Sequence, residues 1–269
     1  MVNYFGNKKV FYKIVLCIGC FNPFSNVFAQ TFAPNFNKWD INAGLTLNNF
    51  SVVDENFSLL PYSGNGVGFS ALVAYQGKLI KQELGFSYAL ANLKNNFNNS
   101  LNQSYITGNY TNLLLLNNQN LFKILAGPQI ALVYAGRNYE GYVNNNSSFE
   151  FATSLNAAVE ISYNLSKIGV VLKNKIASPL FSYVQQPAFG FETSFLNANS
   201  KNDDIVNNAS NFVGFNKFFR ISNCFIIDKS FAEHHKISLN YNLDFYKIST
   251  NRAVKNFTNT LTISYGFLL

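Results

Sequence analysis

The chain has 269 residues, of which 48% are hydrophobic, 16% aromatic and only 12% charged. Soluble domains carry roughly 25% charged residues, so this composition argues against an ordinary soluble enzyme. The mean hydropathy of +0.03 is too low for a bundle of membrane helices. The combination instead favours a transmembrane β-barrel. The net charge is +7 without a run of lysines or arginines, so nothing indicates a nucleic-acid surface.

The N-terminal segment has the layout of a cleaved signal peptide. Lys8 and Lys9 precede an apolar stretch over 10–21, and Ala29 supplies the small residue of a cleavage site. We expect cleavage after Ala29, so that 1–29 is the signal and 30–269 forms one domain.

The cysteines leave one alternative for this segment, a lipoprotein signal that ends at Cys20. Cleavage after Ala29 would remove Cys17 and Cys20 and leave Cys224 alone. A single cysteine can form neither an internal disulfide nor a cysteine-based zinc site.

Alternation of polar and apolar residues recurs along the rest of the chain and predicts strands with two different faces. In 150–165, for example, Leu155, Val159 and Ile161 share one face, while Ser154 and Glu160 share the other. Ten segments follow this pattern, at 39–50, 66–77, 82–92, 104–116, 121–135, 150–165, 168–182, 211–226, 236–248 and 256–269. All are longer than the ~5–6 residues of a soluble strand, and they are long enough for the ~9–11 residues that a tilted membrane strand needs.

The connections between these segments alternate in length. Long, Asn/Gly/Ser-rich stretches follow the odd segments, at 51–65, 93–103, 136–149, 183–210 and 249–255, and mostly short links follow the even ones. Short periplasmic turns and longer outer loops are typical of outer-membrane barrels. We therefore predict an all-β fold, a single antiparallel up-and-down transmembrane barrel of about ten strands, with eight or twelve as alternatives.

The polar face is predicted to line the lumen and the apolar face to meet lipid. Six charged residues are lumen candidates: Glu83, Glu160, Lys173, Lys175, Arg220 and Asp244. A turn centred on Ser166-Lys167 would put Glu160 opposite Lys173 as an ion pair inside the barrel. Aromatic residues near segment ends are consistent with interfacial girdles, namely Trp39, Phe50, Tyr75, Tyr105, Tyr134, Tyr163, Tyr183, Tyr246 and Phe267.

Three stretches resemble PorT-like outer-membrane β-barrel proteins. The apolar segment 121–136 contains a Gly127-Pro128 pair and follows the Leu-rich end 113–116, and 175–182 and the signal end Phe28-Ala29-Gln30 are also similar. The terminal Leu269 departs from the aromatic residue that is usual in such barrels. The resemblance implies an outer-membrane location and an accessory role in secretion or uptake.

Catalytic and metal chemistry has little support in the sequence. The adjacent His234 and His235 lie in a predicted periplasmic turn, where neighbouring side chains point to opposite faces. No nucleophile elbow and no phosphate loop occur. We expect no enzyme activity, no metal and no cofactor.

The first functional hypothesis is a structural or accessory barrel that contacts outer-membrane lipid and docks with an envelope transport or secretion complex through its outer loops. The alternative is a small pore for ions or solutes, and an outer-membrane hydrolase is a distant third.

Overall fold

The computed structural model describes residues 38–55, 57–119, 122–141, 146–165, 168–187, 210–232 and 234–269. The predicted signal segment 1–29 and most of the connection 183–210 lie outside these residues. Within them the secondary structure is β1 (Lys38–Asp54), β2 (Ser58–Gln76), β3 (Ile80–Lys94), β4 (Ser100–Gln119), β5 (Phe122–Tyr139), β6 (Ser147–Leu165), β7 (Val170–Gln185), β8 (Ser210–Val213), β9 (Phe218–Ala232), β10 (His235–Ser249) and β11 (Ala253–Leu268). No described helix is long and apolar enough to cross a membrane.

The sheet closes into an antiparallel barrel. Each long strand pairs with the next along the chain, and β1 pairs with β11 from Asp40↔Leu268 to Asp54↔Val254. The short β8 and β9 both pair with β7 and are separated by the turn over 214–217, so together they occupy one position in the wall. The prediction of a ten-stranded barrel is therefore confirmed, with the eighth predicted segment divided in two.

The loop-length prediction was only partly right. At the end of the barrel where β1 begins and β11 ends, two to four residues separate consecutive strands. At the opposite end, 24 residues separate β7 from β8, but the hairpins β1–β2 and β10–β11 close with three residues each. The predicted loops 51–65, 93–103 and 249–255 are mostly strand. The longer connections still identify this opposite end as the outer one, and we call it the outer end.

The polarity of the two faces of the strands inverts near the outer end. This inversion indicates that the strands extend beyond the membrane. On β1 the outward residues from Trp39 to Leu47 are apolar, and the inward Asn42, Thr46 and Asn48 are polar and buried. After Asn48 the inward residues are Phe50 and Val52, both 0% exposed, while the outward residues become Asn49 and Ser51. Asparagine and serine usually indicate a loop, but Asn49 and Ser51 alternate here with the buried apolar residues Phe50 and Val52 of a strand.

Paired asparagines mark this inversion on the outer surface. Asn49 donates to Asn65 on β2 over 2.9 Å, and Asn92 on β3 donates to Asn102 on β4 over 2.7 Å. Below them the exposed apolar residues form a continuous belt, for example Leu45 (76% exposed) and Ile263 (61% exposed). The nine residues from Trp39 to Leu47 fit the ~9–11 residues that a tilted strand needs to cross a bilayer. The barrel thus spans a membrane and continues beyond it.

Candidate functional site

The interior of the barrel contains a large set of buried charged residues, which form the candidate functional site. A cluster of four alternating charges joins three strands: Lys81 and Glu83 of β3, Glu160 of β6 and Lys175 of β7. The Lys81 Nζ lies 2.6 Å from Glu160 Oε2 and 2.8 Å from Glu83 Oε1, and the Lys175 Nζ lies 2.5 Å from Glu83 Oε2. Because β3 is not a neighbour of β6 or β7, these contacts run across the lumen. Each carboxylate thus has a cationic partner inside the barrel.

Arg220 and Asp244 form a second ion pair on the neighbouring strands β9 and β10. The Arg220 Nε and Nη2 donate to the two carboxylate oxygens over 2.9 and 2.7 Å. From the opposite wall the Tyr105 hydroxyl of β4 donates to Asp244 Oδ2 over 3.1 Å. The three side chains bridge the full width of the lumen.

The predicted pair Glu160–Lys173 is not formed. Glu160 lies opposite Lys175 in the β6–β7 register, and Lys173 lies opposite Ser162. The turn is longer than predicted and includes Gly169, whose φ of +63° is one that glycine adopts without strain. The register is therefore shifted by two residues, which keeps each side chain on its face but changes its partner.

Lys173 instead contacts Asp228 of β9 near the end of the barrel where β1 begins and β11 ends. Its Nζ lies 2.6 Å from Asp228 Oδ2, and Ser238 donates to the other carboxylate oxygen over 2.5 Å. Lys236 of β10 also approaches Asp228 and forms an ion pair with Asp40 of β1. The six lumen candidates thus fall into three groups rather than one site.

Sequence reasoning missed the most buried ionic group, which lies at the outer end. Arg137 of β5 forms a two-point ion pair with Glu150 of β6, with both N–O distances at 2.5 Å. Arg137 also contacts Asp54 of β1 at 3.3 Å, and Arg252 contacts the same carboxylate at 2.9 Å. A signal was available for Arg137, because it alternates with Ala135 and Tyr139 and so shares their face.

The aromatic residues around this group are also inside the barrel. Phe50, Tyr105 and Tyr246, which were predicted to belong to the interfacial girdles, are 0%, 5% and 1% exposed. This part of the prediction was wrong because the polarity of the faces inverts. The buried apolar cluster contains Phe50, Val52, Phe57, Tyr62, Leu93, Leu101, Tyr105, Val133, Tyr139, Val184, Phe218, Tyr246, Ile248 and Val254, among others.

Contacts within this cluster fill the barrel near the outer end. The rings of Phe50 and Tyr105 are 5.5 Å apart, and those of Tyr62 and Tyr139 are 6.0 Å apart, although neither pair lies on neighbouring strands. The Phe50 ring can lie against β2 because Gly66 has no side chain, and a Cβ there would lie 3.0 Å from Phe50 Cε2. The cluster is a hydrophobic core of the kind found in a soluble barrel.

The two histidines lie at the end of the barrel where β1 begins and β11 ends. His234 contacts the Leu268 carbonyl oxygen at 2.9 Å, and His235 contacts the Tyr265 hydroxyl. Both are among exposed aromatic residues such as Phe267. Among the described residues, no three His, Cys, Asp or Glu side chains are grouped so as to hold a metal.

Comparison with known proteins supports the fold. Neither the family models nor the curated proteins match this chain. Among solved structures, the outer membrane protease OmpT from Escherichia coli aligns with a TM-score of 0.51 and 10% identity, covering 89% of this chain and 99% of that one. The translocator domain of autotransporter NalP from Neisseria meningitidis aligns at 0.45 and 7%, covering 95% of this chain and 96% of that one.

At 10% identity the likeness to OmpT concerns the fold alone. The closed antiparallel barrel and its lipid-facing belt are those of a bacterial outer-membrane protein. The chain is thus an outer-membrane β-barrel protein, as the sequence predicted.

Proposed function

We propose that this barrel is a closed structural or accessory component of an envelope transport or secretion complex, and that it works through its outer surface. The observation that carries the proposal is the set of contacts across the lumen between strands that are not neighbours in the wall. They occur in three separate places: Arg137 with Asp54, Tyr105 with Asp244, and Lys81 with Glu160. A solute that crossed the lumen would have to break them.

The energetic cost of opening such a path supports this view. Arg137, Asp54 and Glu150 have side chains no more than 1% exposed. Breaking a buried ion pair by removing one partner typically costs about 3–5 kcal/mol, because the other charge is left without compensation. Because buried ion pairs stabilise the closed lumen, they favour a role of the protein that does not use the lumen.

The outer end offers surface for a partner. Leu59, Phe97 and Phe212 are 78%, 73% and 89% exposed and lie at or near the hairpins and strand ends of the outer end. Contiguous exposed apolar patches often mark sites of protein contact, and we propose these three side chains as contact points for a partner. The resemblance of 121–136 to PorT-like barrels agrees with an accessory role in secretion.

Two measurements test the proposal. Purified protein in planar bilayers is expected to show no steady conductance. In cells, a photo-crosslinking residue at Phe97 or Phe212 is expected to capture a specific envelope protein, while the same residue at the lipid-facing Leu45 captures none. Steady conductance whose ion preference changes in Glu160→Gln would instead support the pore, the alternative function.

A further inference from the structure

Two lysines face each other on the outer surface of the barrel. Lys247 of β10 and Lys255 of β11 are directly opposite in the register, and both are exposed. Phe219 lies beside Lys247 and Val53 beside Lys255 in the same row. Side chains that are directly opposite in an antiparallel pair have Cβ atoms about 4.5–5.5 Å apart, and like charges in such a pair destabilise the sheet.

Neither ammonium group has an ion-pair partner within the described part of the chain. On the outward face the nearest carboxylate in the register is that of Glu55, which accepts a hydrogen bond from the Ala253 backbone over 3.0 Å, whereas the carboxylate of Asp54, opposite Val254, is buried inside the barrel. Lys217, in the turn before β9, adds a third positive charge, since Ser249, two residues beyond Lys247, donates to its backbone oxygen. The outer surface of β9–β11 is therefore positively charged.

The position of the lysine pair indicates which anion it meets. One row towards the membrane the outward residues on β9–β11 are Ile221, Phe245 and Phe257, whereas β1 contributes Ser51 to this row, and the next row contains Asn49 and Asn259. Behind the lysines the wall is solid, because Tyr246, Ile248 and Val254 are buried in the outer core. The two ammonium groups thus lie above the asparagines that mark the edge of the apolar belt, on the headgroup side of that edge and at the outer end of the barrel.

We propose that Lys247 and Lys255, assisted by Lys217, bind a phosphate group of a phosphorylated glycolipid in the outer leaflet. A phosphate between the two ammonium groups removes their mutual repulsion, and lysine binds phosphate well as a point charge. The aromatic and aliphatic side chains one row below face the part of the same lipid where its headgroup joins the acyl chains. The site does not depend on the proposed docking partner, since it lies on the side wall of the barrel.

The test uses the full-length mature protein in a neutral detergent, titrated with lipid A and measured by native mass spectrometry. Wild type is expected to retain lipid A, and K247Q/K255Q to bind it about thirty-fold more weakly, at about 1 kcal/mol for each lysine. The control K94Q/K123Q removes the same charge from exposed lysines elsewhere on the barrel and is expected to bind like wild type.

Three outcomes would overturn the proposal. Undiminished binding by K247Q/K255Q would show that the lysine pair is merely solvated. An equal loss in K94Q/K123Q would show that the effect is one of net charge. Displacement of lipid A by inorganic phosphate at low millimolar concentration would assign the site to a free anion. Heat-modifiable migration on gels verifies that each variant is folded.

Discussion

The Tyr105 hydroxyl donates a hydrogen bond to Asp244 across the barrel, over 3.1 Å, and so joins β4 to β10. These strands lie on opposite sides of the wall, five positions apart around the ring in either direction. The same carboxylate holds Arg220. The Asp244 carboxylate thus connects both walls of the lumen. Substitution of Tyr105 therefore tests directly whether the lumen is closed by this contact.

Two substitutions of Tyr105 are expected to distinguish the stability contributed by its hydrogen bond from the stability contributed by the packing of its ring. Tyr105→Phe keeps the ring against Phe50 and should cost about 1 kcal/mol of unfolding free energy, as for a typical hydrogen bond. Tyr105→Ala should cost about 3–5 kcal/mol through cavity formation. Guanidinium unfolding in detergent measures both. Equal losses in the two variants would show that the ring does not pack as described.

The ion pair Arg137–Glu150 is expected to be strongly coupled. Arg137→Met leaves the buried Glu150 with the Tyr246 hydroxyl as its remaining side-chain donor among the described residues, at 2.6 Å. It should destabilise the barrel by about 3–5 kcal/mol, whereas R137M/E150L should recover most of that loss. A double-mutant cycle on unfolding free energies checks this. Additive losses would mean that the two groups do not interact.

The inversion of polarity along β1 predicts that substitutions at two outward positions change the stability of the barrel to different extents. Leu47→Asn puts an amide into the lipid belt and should destabilise the protein, while Ser51→Leu, beyond the belt, should change stability by less than about 0.5 kcal/mol. The inward Phe50→Ala should cost about 3–5 kcal/mol. Guanidinium unfolding in lipid vesicles compares the three. A large loss in Ser51→Leu would contradict the assigned membrane boundary.

The β6–β7 register predicts which cysteine pairs can join. Cysteines at Ile161 and Asn174, which lie opposite each other, should form a disulfide in a Cys17, Cys20 and Cys224 serine background. The pair Ile161 and Leu172, which the shorter turn would align, should not. Gel mobility with and without reductant reports the result. Faster crosslinking of the second pair would restore the Glu160–Lys173 partnership.

The sequence alone predicted the barrel and the number of its wall positions. Alternation with a period of two is a local property, so Glu160 and Lys173 could be assigned to one face without knowing the turn. Their partners could not be assigned, because Gly169 lengthens the turn and moves the register by two residues, which leaves the faces unchanged.

The composition and alternation of the chain determined by themselves that it forms a membrane barrel, since only closed sheets satisfy backbone hydrogen bonds in lipid. The tertiary structure alone decided where the membrane ends and what fills the lumen. The sequence predicted Phe50 as a residue of the interfacial girdle, whereas the structure shows that its side chain faces the interior of the barrel. Arg137 meets Asp54, 83 residues away in the chain, because closure of the sheet brings β5 and β1 to opposite sides of one narrow interior.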